Sequence, residues 1–230
     1  MAQPLALLPG LLCDAALWRH QIAALEGLAD CRVADFTSQD NVAAMAESVL
    51  AMMPQRFALA ALSMGGYVAQ EVMRQAPERV TRLALLDTSA RPDTPEQTAR
   101  RRGLIELAEK GSFKGVTPRL LPLLIHESRL DDEALTGVVL GMAERIGKDA
   151  FLRQQRAIMG RPDSRPTLVS IRCPTLVICG RQDVLAPLDC AMEIAAGITD
   201  ARLVVAEDCG HLSPLERPET VKQAMAAWLA

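Results

Sequence analysis

The sequence predicts an α/β fold: a mostly parallel sheet of about six strands, flanked by helices. Three observations indicate this class. Short apolar runs alternate with helical segments, each run ends in Gly, Asp or a turn cluster, and 230 residues are enough for one sizeable core. Continuous apolar runs are typical of strands that are buried on both faces of a parallel sheet. The predicted strands span residues 4–8, 31–34, 57–62, 82–87, 175–179 and 202–206.

The helical segments fall between these strands. Two helices are predicted near residues 15–28 and 42–53. A third begins after Ser63 and ends before Pro77, because the residue before a proline disfavours the helical conformation. The last helix begins at Pro218, a favoured first-turn residue. Its apolar stripe consists of Val221, Ala224, Met225 and Trp228.

Residues 91–165 interrupt the alternation. They contain no convincing strand, and Gly and Pro separate their helical segments, so we predict a helical cap inserted into a core domain of residues 1–90 and 166–230. An apolar run over residues 119–125 either packs on the core or lines a pocket for an apolar substrate. The residues predicted to contact substrate are Leu121, Leu124, Ile125 and His126.

Composition argues against several classes of function. A net charge of -3 offers no footprint for nucleic acid, and the arginines between Arg91 and Arg102 are interpreted as a solvated helix face. No stretch is long enough to cross a bilayer, and the first residues do not resemble a signal peptide, so we expect a cytoplasmic protein whose six cysteines are reduced thiols. The sequence has no metal-ligand spacing and no phosphate-binding glycine motif, so we expect neither metal nor cofactor. The expected partner is a small-molecule ester, and the sequence does not predict an oligomeric state.

Ser63 is the first candidate for chemistry. The residues 59–66 read LAALSMGG, so an apolar strand stops at a serine and two glycines lead into a helix. A serine at such a corner has its hydroxyl exposed beyond the sheet, and small residues must flank it because bulk would collide with neighbouring backbone. A serine hydroxyl is a weak nucleophile, so this chemistry also needs a base and donors for an oxyanion.

His211 is the candidate base and Asp183 the candidate acid. Of the three histidines, His20 lies in the first predicted helix and His126 ends the apolar cap run. Only His211 follows the carboxyl end of a strand, where parallel sheets build their sites. The order serine, acid, histidine along the chain favours Asp183, with Asp87 at the end of the fourth strand as the alternative.

Two backbone N–H groups are the candidate oxyanion donors. Met64 begins the helix after Ser63, where unpaired N–H groups and the helix dipole favour negative charge. The second donor is assigned to Leu11, in the loop after the first strand, because Gly10 lets the backbone turn inward. Cys13 and Cys209 lie near the same loops, but neither occupies a strand-to-helix corner, so we do not expect a cysteine nucleophile.

Taken together, these motifs resemble the α/β-hydrolase fold from end to end, and most closely its small cap-bearing carboxylesterases and lactonases. The resemblance implies Ser63 as nucleophile, His211 as base, Asp183 as acid, and Leu11 and Met64 as oxyanion donors. Three departures stand out: Ala61 replaces the first glycine of the consensus corner, Pro9-Gly10 replaces the usual His-Gly, and the two leading strands common in the family are missing from the pattern.

The expected function is hydrolysis of a small or medium, apolar carboxylic ester or lactone through an acyl-enzyme, without a cofactor. Two alternatives remain. The same three side chains can act on an amide, on a carbon–carbon bond beside a carbonyl, or with peroxide as the acyl acceptor. The fold can also serve as a non-catalytic receptor for a small ligand.

Overall fold

A six-stranded parallel sheet forms the centre of the computed structural model, which describes residues 2–230 apart from the side chain of Ser112. Met1, the first residue of the predicted core domain, lies outside the described residues. The strand order across the sheet is β2-β1-β3-β4-β5-β6, and every neighbouring pair is parallel. The strands are β1 (Gln3–Leu8), β2 (Ala29–Val33), β3 (Phe57–Leu62), β4 (Val80–Leu86), β5 (Thr175–Gly180) and β6 (Ala201–Ala206). The predicted six-stranded α/β sheet is confirmed.

Both faces of the sheet are buried, because successive side chains of a strand point to opposite sides. In β3, Phe57, Leu59 and Ala61 belong to one apolar cluster, which the helices over Val42–Met52 and Met64–Gln75 cover. Ala58, Ala60 and Leu62 belong to the cluster on the other face. This two-sided burial is the physical reason that the strands read as unbroken apolar runs.

Nine α-helices are assigned within residues 2–230: α1 (Arg19–Ala24), α2 (Val42–Met52), α3 (Met64–Gln75), α4 (Pro95–Leu107), α5 (Glu133–Met159), α6 (Arg165–Leu168), α7 (Leu188–Gly197), α8 (Ser213–Glu216) and α9 (Pro218–Leu229). Short 3-10 helices cover Ala15–Trp18, Pro77–Arg79, Pro118–Leu123 and Glu127–Arg129, and a π-helical turn covers Ala108–Ser112. None of the helices in this described part of the chain combines the length and apolarity needed to cross a membrane.

The element boundaries differ from the sequence prediction at two helices. The helix predicted over residues 15–28 is a 3-10 turn followed by the short α1, and the helix stops at Ala24 because Gly27 adopts a left-handed conformation with φ of 79°. Helix α7 was not predicted. It lies between β5 and β6 and packs on both strands through Cys190, Ala191 and Ile194, which are buried.

The segment between β4 and β5 contains helices α4 to α6 and no strand. Its longest element, α5, is interrupted at Gly147, whose φ of 74° and ψ of 177° are not helical. Before this break, Leu135, Val139 and Met142 contact the cluster that contains α9. After it, Ala157 and Ile158 join the cluster beneath α3. The second half of α5 therefore packs as part of the main core.

Candidate active site

Ser63 lies at the corner between β3 and α3. Its backbone has φ of 53° and ψ of -114°, a strained conformation for a residue with a side chain. The surroundings hold it there: Ser63 N–H donates to the Leu86 carbonyl at 3.0 Å, and Thr88 Oγ1 donates to the Ser63 carbonyl at 2.8 Å. A side chain at Gly65 would collide with the Leu8 carbonyl, and one at Gly66 would collide with Thr88. The two glycines are therefore a steric requirement of this corner.

The structure brings the three side chains predicted for catalysis into contact. His211 Nε2 lies 2.8 Å from Ser63 Oγ, and His211 Nδ1 lies 2.7 Å from Asp183 Oδ2. The other carboxylate oxygen of Asp183 accepts hydrogen bonds from the N–H groups of Leu185 at 2.8 Å and Ala186 at 3.0 Å. Asp183 and His211 are both buried. This arrangement can pass a proton from the serine hydroxyl to the imidazole while the carboxylate fixes the orientation of the ring.

The surroundings of His211 stabilise its protonated imidazole more than water does. Burial alone lowers the pKa of the imidazole, but the charge and hydrogen bond of Asp183, together with the charges of Asp87 and Glu216, outweigh burial and raise it above 6.5. An imidazole with a raised pKa is a stronger base toward the serine proton.

Asp87, the alternative acid, does not contact His211 among the hydrogen bonds of residues 2–230. Its Oδ1 accepts from the Gly180 N–H at 2.8 Å, and its Oδ2 accepts from the N–H and hydroxyl of Ser213. Burial, reinforced by the negative charge of Asp183, raises the pKa of Asp87 to about 8. Asp87 thus ties the end of β4 to the loops that follow β5 and β6.

Two glycines let the loop that carries His211 pack closely: Gly180 lets it approach the end of β5, and Gly210 lets it approach residues 125–126. A side chain on Gly180 would overlap the Gly210 carbonyl, and one on Gly210 would press against the backbone of Ile125 and His126. Gln182 links the loop after β5 to the loop that carries His211, since its N–H donates to the Cys209 carbonyl at 2.9 Å and its Oε1 accepts from the Cys209 N–H at 3.0 Å.

Glu216 is a site residue that the sequence analysis missed. Its buried carboxylate accepts hydrogen bonds from the N–H groups on both sides of His211, Gly210 at 3.1 Å and Leu212 at 3.1 Å, and from the His126 N–H at 2.6 Å. It therefore fixes the backbone that carries the imidazole. No sequence pattern marks this role, because a glutamate shortly before the first turn of α9 resembles an ordinary acidic residue at a helix start.

The loop after β1 lies against the serine. A Cβ on Gly10 would stand 3.4 Å from Ser63 Cβ, and Gly10 and Leu11 both line the cavity above Ser63. Leu12 adopts a φ of 58°, and its N–H donates to Gln154 Oε1 at 3.0 Å. The amide of Gln154 in turn donates to the Phe36 carbonyl at 3.2 Å. Gln154 is the second residue missed by the sequence analysis, because it lies in α5, far from the loop along the chain.

Ser63 and His211 open into a cavity of about 600 Å³, which is within the usual range for small-molecule sites. Of the four residues predicted to contact substrate, only Leu124 lines it. Leu121 and Ile125 are buried in the apolar cluster on the α9 side of the sheet, because the 3-10 turn at Pro118–Leu123 directs them to the core. His126 lies outside the lining, and its N–H is held by Glu216. Leu120 and Leu123 line the cavity instead.

One buried group of possible metal ligands is found in residues 2–230: Asp87, Cys179 and Asp183, whose ligand atoms lie within 4.8 Å of one another. Hydrogen bonds already engage both carboxylates, and burial raises the pKa of the Cys179 thiol, so this donor set is poorly suited to a cation. Cys13 lines the cavity, and burial raises the pKa of its thiol to about 12, so it stays protonated at neutral pH.

Comparison with known proteins identifies the family of this chain. The model of the alpha/beta hydrolase family matches residues 5–224. A thermophilic esterase from Thermogutta terrifontis is 29% identical and superposes with a TM-score of 0.89, covering 100% of this chain and 90% of that one. The pimeloyl-(acyl-carrier protein) methyl ester esterase of Nitrosomonas europaea is 30% identical over 190 residues, which cover 78% of this chain and 74% of the relative.

A third relative is named for a different substrate. The 2-hydroxy-6-oxononadienedioate/2-hydroxy-6-oxononatrienedioate hydrolase of Klebsiella pneumoniae is 28% identical over 173 residues, 73% of this chain, and the match spans 60% of the relative's length. The matched family model covers nearly all of the sequence, and the three relatives above are named as esterases or hydrolases. The chain therefore belongs to the alpha/beta hydrolase family and is a hydrolase with that family's fold.

Proposed function

We propose that this enzyme hydrolyses a small or medium carboxylic ester or lactone through an acyl-enzyme on Ser63. The observation that carries the proposal is the hydrogen-bonded series Ser63 Oγ, His211 and Asp183, with distances of 2.8 Å and 2.7 Å, at the wall of a largely apolar cavity. Helices between β4 and β5 supply much of the opposite wall, so we assign residues 91–165 the role of a substrate-covering cap.

In the proposed reaction, Ser63 Oγ forms a bond to the carbonyl carbon while its proton moves to His211 Nε2. The carbonyl electron pair moves to the oxygen, where the N–H groups of Leu11 and Met64 are assigned to stabilise the negative charge, each by about 3 kcal/mol. The bond to the leaving alkoxide then breaks, and His211 gives its proton to that oxygen. Water repeats the sequence, releasing the carboxylic acid and regenerating Ser63.

Replacement of the nucleophile tests this proposal. Ser63→Ala is expected to lower kcat/KM for short p-nitrophenyl esters by at least about 10⁴-fold. Ser170→Ala, at an exposed serine, is the matched control and is expected to keep wild-type activity. A fluorophosphonate probe, followed by peptide mapping, is expected to label Ser63. Retention of most activity in Ser63→Ala would refute the nucleophile assignment, and absence of labelling in the wild-type protein would favour a non-catalytic receptor.

A second candidate keeps the same residues and changes the bond. The Klebsiella relative is named for a 6-oxo-dienedioate, so cleavage of a carbon–carbon bond beside a ketone is the leading alternative; amide hydrolysis and transfer of the acyl group to peroxide use the same nucleophile. A panel of esters, lactones, amides and dienoic ketones distinguishes them by their relative kcat/KM values. A ketone cleaved faster than every ester would replace the ester proposal.

A further inference from the structure

We infer that the cavity contains a second recognition element, a polar corner formed by Tyr67, Arg101 and Gln155, which binds a free carboxylate of the substrate. We call these three residues the anion corner. The inference rests on the proposed function and narrows it: the preferred ester or lactone has an apolar body and a carboxylate a short distance from the scissile carbonyl.

The charges around the cavity have one sign. Four cationic residues line it, and no aspartate or glutamate of the described chain does. They are Arg100, Arg101, Lys114 and Arg119. A cleft lined by charges of one sign, with low-dielectric walls, concentrates ligands of the opposite charge.

Arg101 differs from the exposed cations because other side chains fix its position. Its Nε contacts Asp93 Oδ2 at 2.7 Å, and its Nη1 donates to Gln155 Oε1 at 2.9 Å. Two of its five N–H groups are thereby used, and no further hydrogen bond from this guanidinium is found within residues 2–230. A planar guanidinium held in place with N–H groups to spare is well suited to binding a carboxylate.

The network behind Arg101 carries an uncompensated positive charge. Asp93 also contacts Arg161 Nη1 at 2.7 Å, so a single carboxylate serves two guanidinium groups. The side chains of Asp93 and Arg161 are only 2% and 5% exposed, whereas that of Arg101 is 21% exposed. A buried charge is costly unless it is paired, and the accessible member of this network is the one that lines the cavity.

Gln155 adds an unpaired donor to the corner. The residue is 1% exposed and lines the cavity, and its Oε1 is engaged by Arg101. The guanidinium requires an oxygen at that position, which leaves the Gln155 Nε2 amide as the free end, and it has no hydrogen-bond acceptor in the described part of the chain. Because Gln155 lines the cavity, this amide is available to donate to a ligand oxygen.

Tyr67 connects the anion corner to α3, the helix that begins directly after the nucleophile. It lies one turn of α3 after Ser63, about 6 Å along the helix axis, and the Arg161 guanidinium stacks 4.1 Å from its ring centroid. Tyr67 and Ser63 line the same cavity. Ser63, Arg101 and Gln155 line this cavity too, so one ligand can contact the nucleophile and the corner together.

A pair of matched esters tests the inference. The mono-p-nitrophenyl ester of glutaric acid carries a free carboxylate, and the p-nitrophenyl ester of 4-carbamoylbutanoic acid replaces it with a neutral amide of the same shape. The wild-type enzyme is expected to prefer the acid over the amide by about tenfold or more in kcat/KM at low ionic strength, since a charge-assisted hydrogen bond is worth at least that factor.

Arg101→Gln is expected to bring this acid-to-amide ratio close to one. Arg102→Gln is the matched control, because Arg102 is the exposed neighbour that does not line the cavity, and it is expected to keep the wild-type ratio. Arg101→Lys retains the charge without the planar fork and is expected to give an intermediate ratio. A wild-type ratio near one, or an Arg101→Gln ratio equal to the wild-type ratio, would overturn the inference. Thermal unfolding of each variant identifies any loss of fold caused by freeing Asp93.

Failure of the proposed ester hydrolysis would give a different experimental result from failure of the anion corner. If neither ester is hydrolysed above the rate of Ser63→Ala, the ester hydrolase proposal has failed, and the anion corner is tested by calorimetric titration with glutarate. Binding to the wild-type protein and to Arg102→Gln, with at least tenfold weaker binding to Arg101→Gln, would support the corner. Equal binding, or no binding to any of them, would refute it.

Discussion

The two walls of the cavity are built in different ways. At the sheet edge, the loops after β3, β5 and β6 carry Ser63, Asp183 and His211, and buried side chains such as Glu216 bind the loop backbone directly. On the opposite wall, α4 has no buried residue, and its Arg100 and Leu107 line the cavity from exposed positions. Hydrogen bonds to buried carboxylates fix the sheet-edge wall, so the reacting atoms have little freedom. The helical wall is fixed less tightly, which suits a surface that selects the substrate.

The largest expected effect distinguishes the two buried aspartates of the sheet edge, Asp183 and Asp87. Asp183→Asn is expected to lower kcat by about 10⁴-fold, because an amide cannot hold the imidazole in the required tautomer. Asp87→Asn is the matched variant and is expected to cost less than about tenfold, since Asp87 contacts Gly180 and Ser213 but not His211. Steady-state kinetics on p-nitrophenyl acetate provide the measurement. If Asp87→Asn proved the more damaging change, the acid assignment would move to Asp87.

Glu216→Gln tests how firmly the sheet-edge wall is held. The amide group would place a donor against backbone N–H groups that now donate to the carboxylate, so we expect a loss of about 2–3 kcal/mol in the free energy of unfolding and a Tm lower by roughly 5 °C or more. Glu219→Gln is the control, because Glu219 forms an exposed pair with Lys222 that contributes little. Urea unfolding measures the free energy of unfolding of both variants, and thermal unfolding measures their Tm. Equal stability of the two variants would contradict the role given to Glu216.

Gln154→Leu tests the side chain through which α5 binds the Leu12 N–H of the loop after β1. Leu12 would lose the acceptor of its N–H, and the neighbouring Leu11 N–H would lose its fixed position. We expect kcat to fall about tenfold while KM changes little, because the oxyanion develops only in the transition state.

The affinity for a trifluoromethyl ketone, which forms an oxyanion when it adds to the serine, is expected to fall in parallel with kcat in this variant. A change in KM alone would place Gln154 in ground-state binding instead. Gln223→Leu, at an exposed position of α9, controls for the loss of a glutamine elsewhere.

The smallest effect concerns pH. In the proposed reaction the neutral form of His211 is the base. Protonation of the imidazole should therefore remove activity, and kcat/KM is expected to fall about tenfold per pH unit below the pKa of His211. Asp183 raises this pKa, so the midpoint of the acidic limb is expected above 6.5. A pH profile of kcat/KM between pH 5 and 9 measures it. A profile without an acidic limb, or with a midpoint well below 6.5, would contradict the electrostatic account of the sheet edge.

The strands and the positions of Ser63 and His211 at strand ends could be predicted because local rules set them. Residues 57–62 form a buried strand, and the strand ends at Ser63 because only the small residues after it fit the corner. The residues that line the cavity were harder to predict. Leu121 and Ile125 face the core while Leu124 lines the cavity, and this division depends on a 3-10 turn that contains Pro122 rather than on the apolar pattern. Gln154 and Glu216 act on backbone groups of other loops, so no local pattern marks them.

By itself, the sequence determined the parallel sheet, the corner at Ser63 and the order in which serine, acid and histidine follow the strands, because apolar periodicity and glycine placement act over a few neighbouring residues. Only the tertiary structure decided which buried carboxylate meets His211, which residues hold the loops, and where Arg101 stands beside the cavity. These outcomes depend on contacts between residues far apart in the chain, such as the 28 positions that separate Asp183 from His211 and the 142 that separate Leu12 from Gln154.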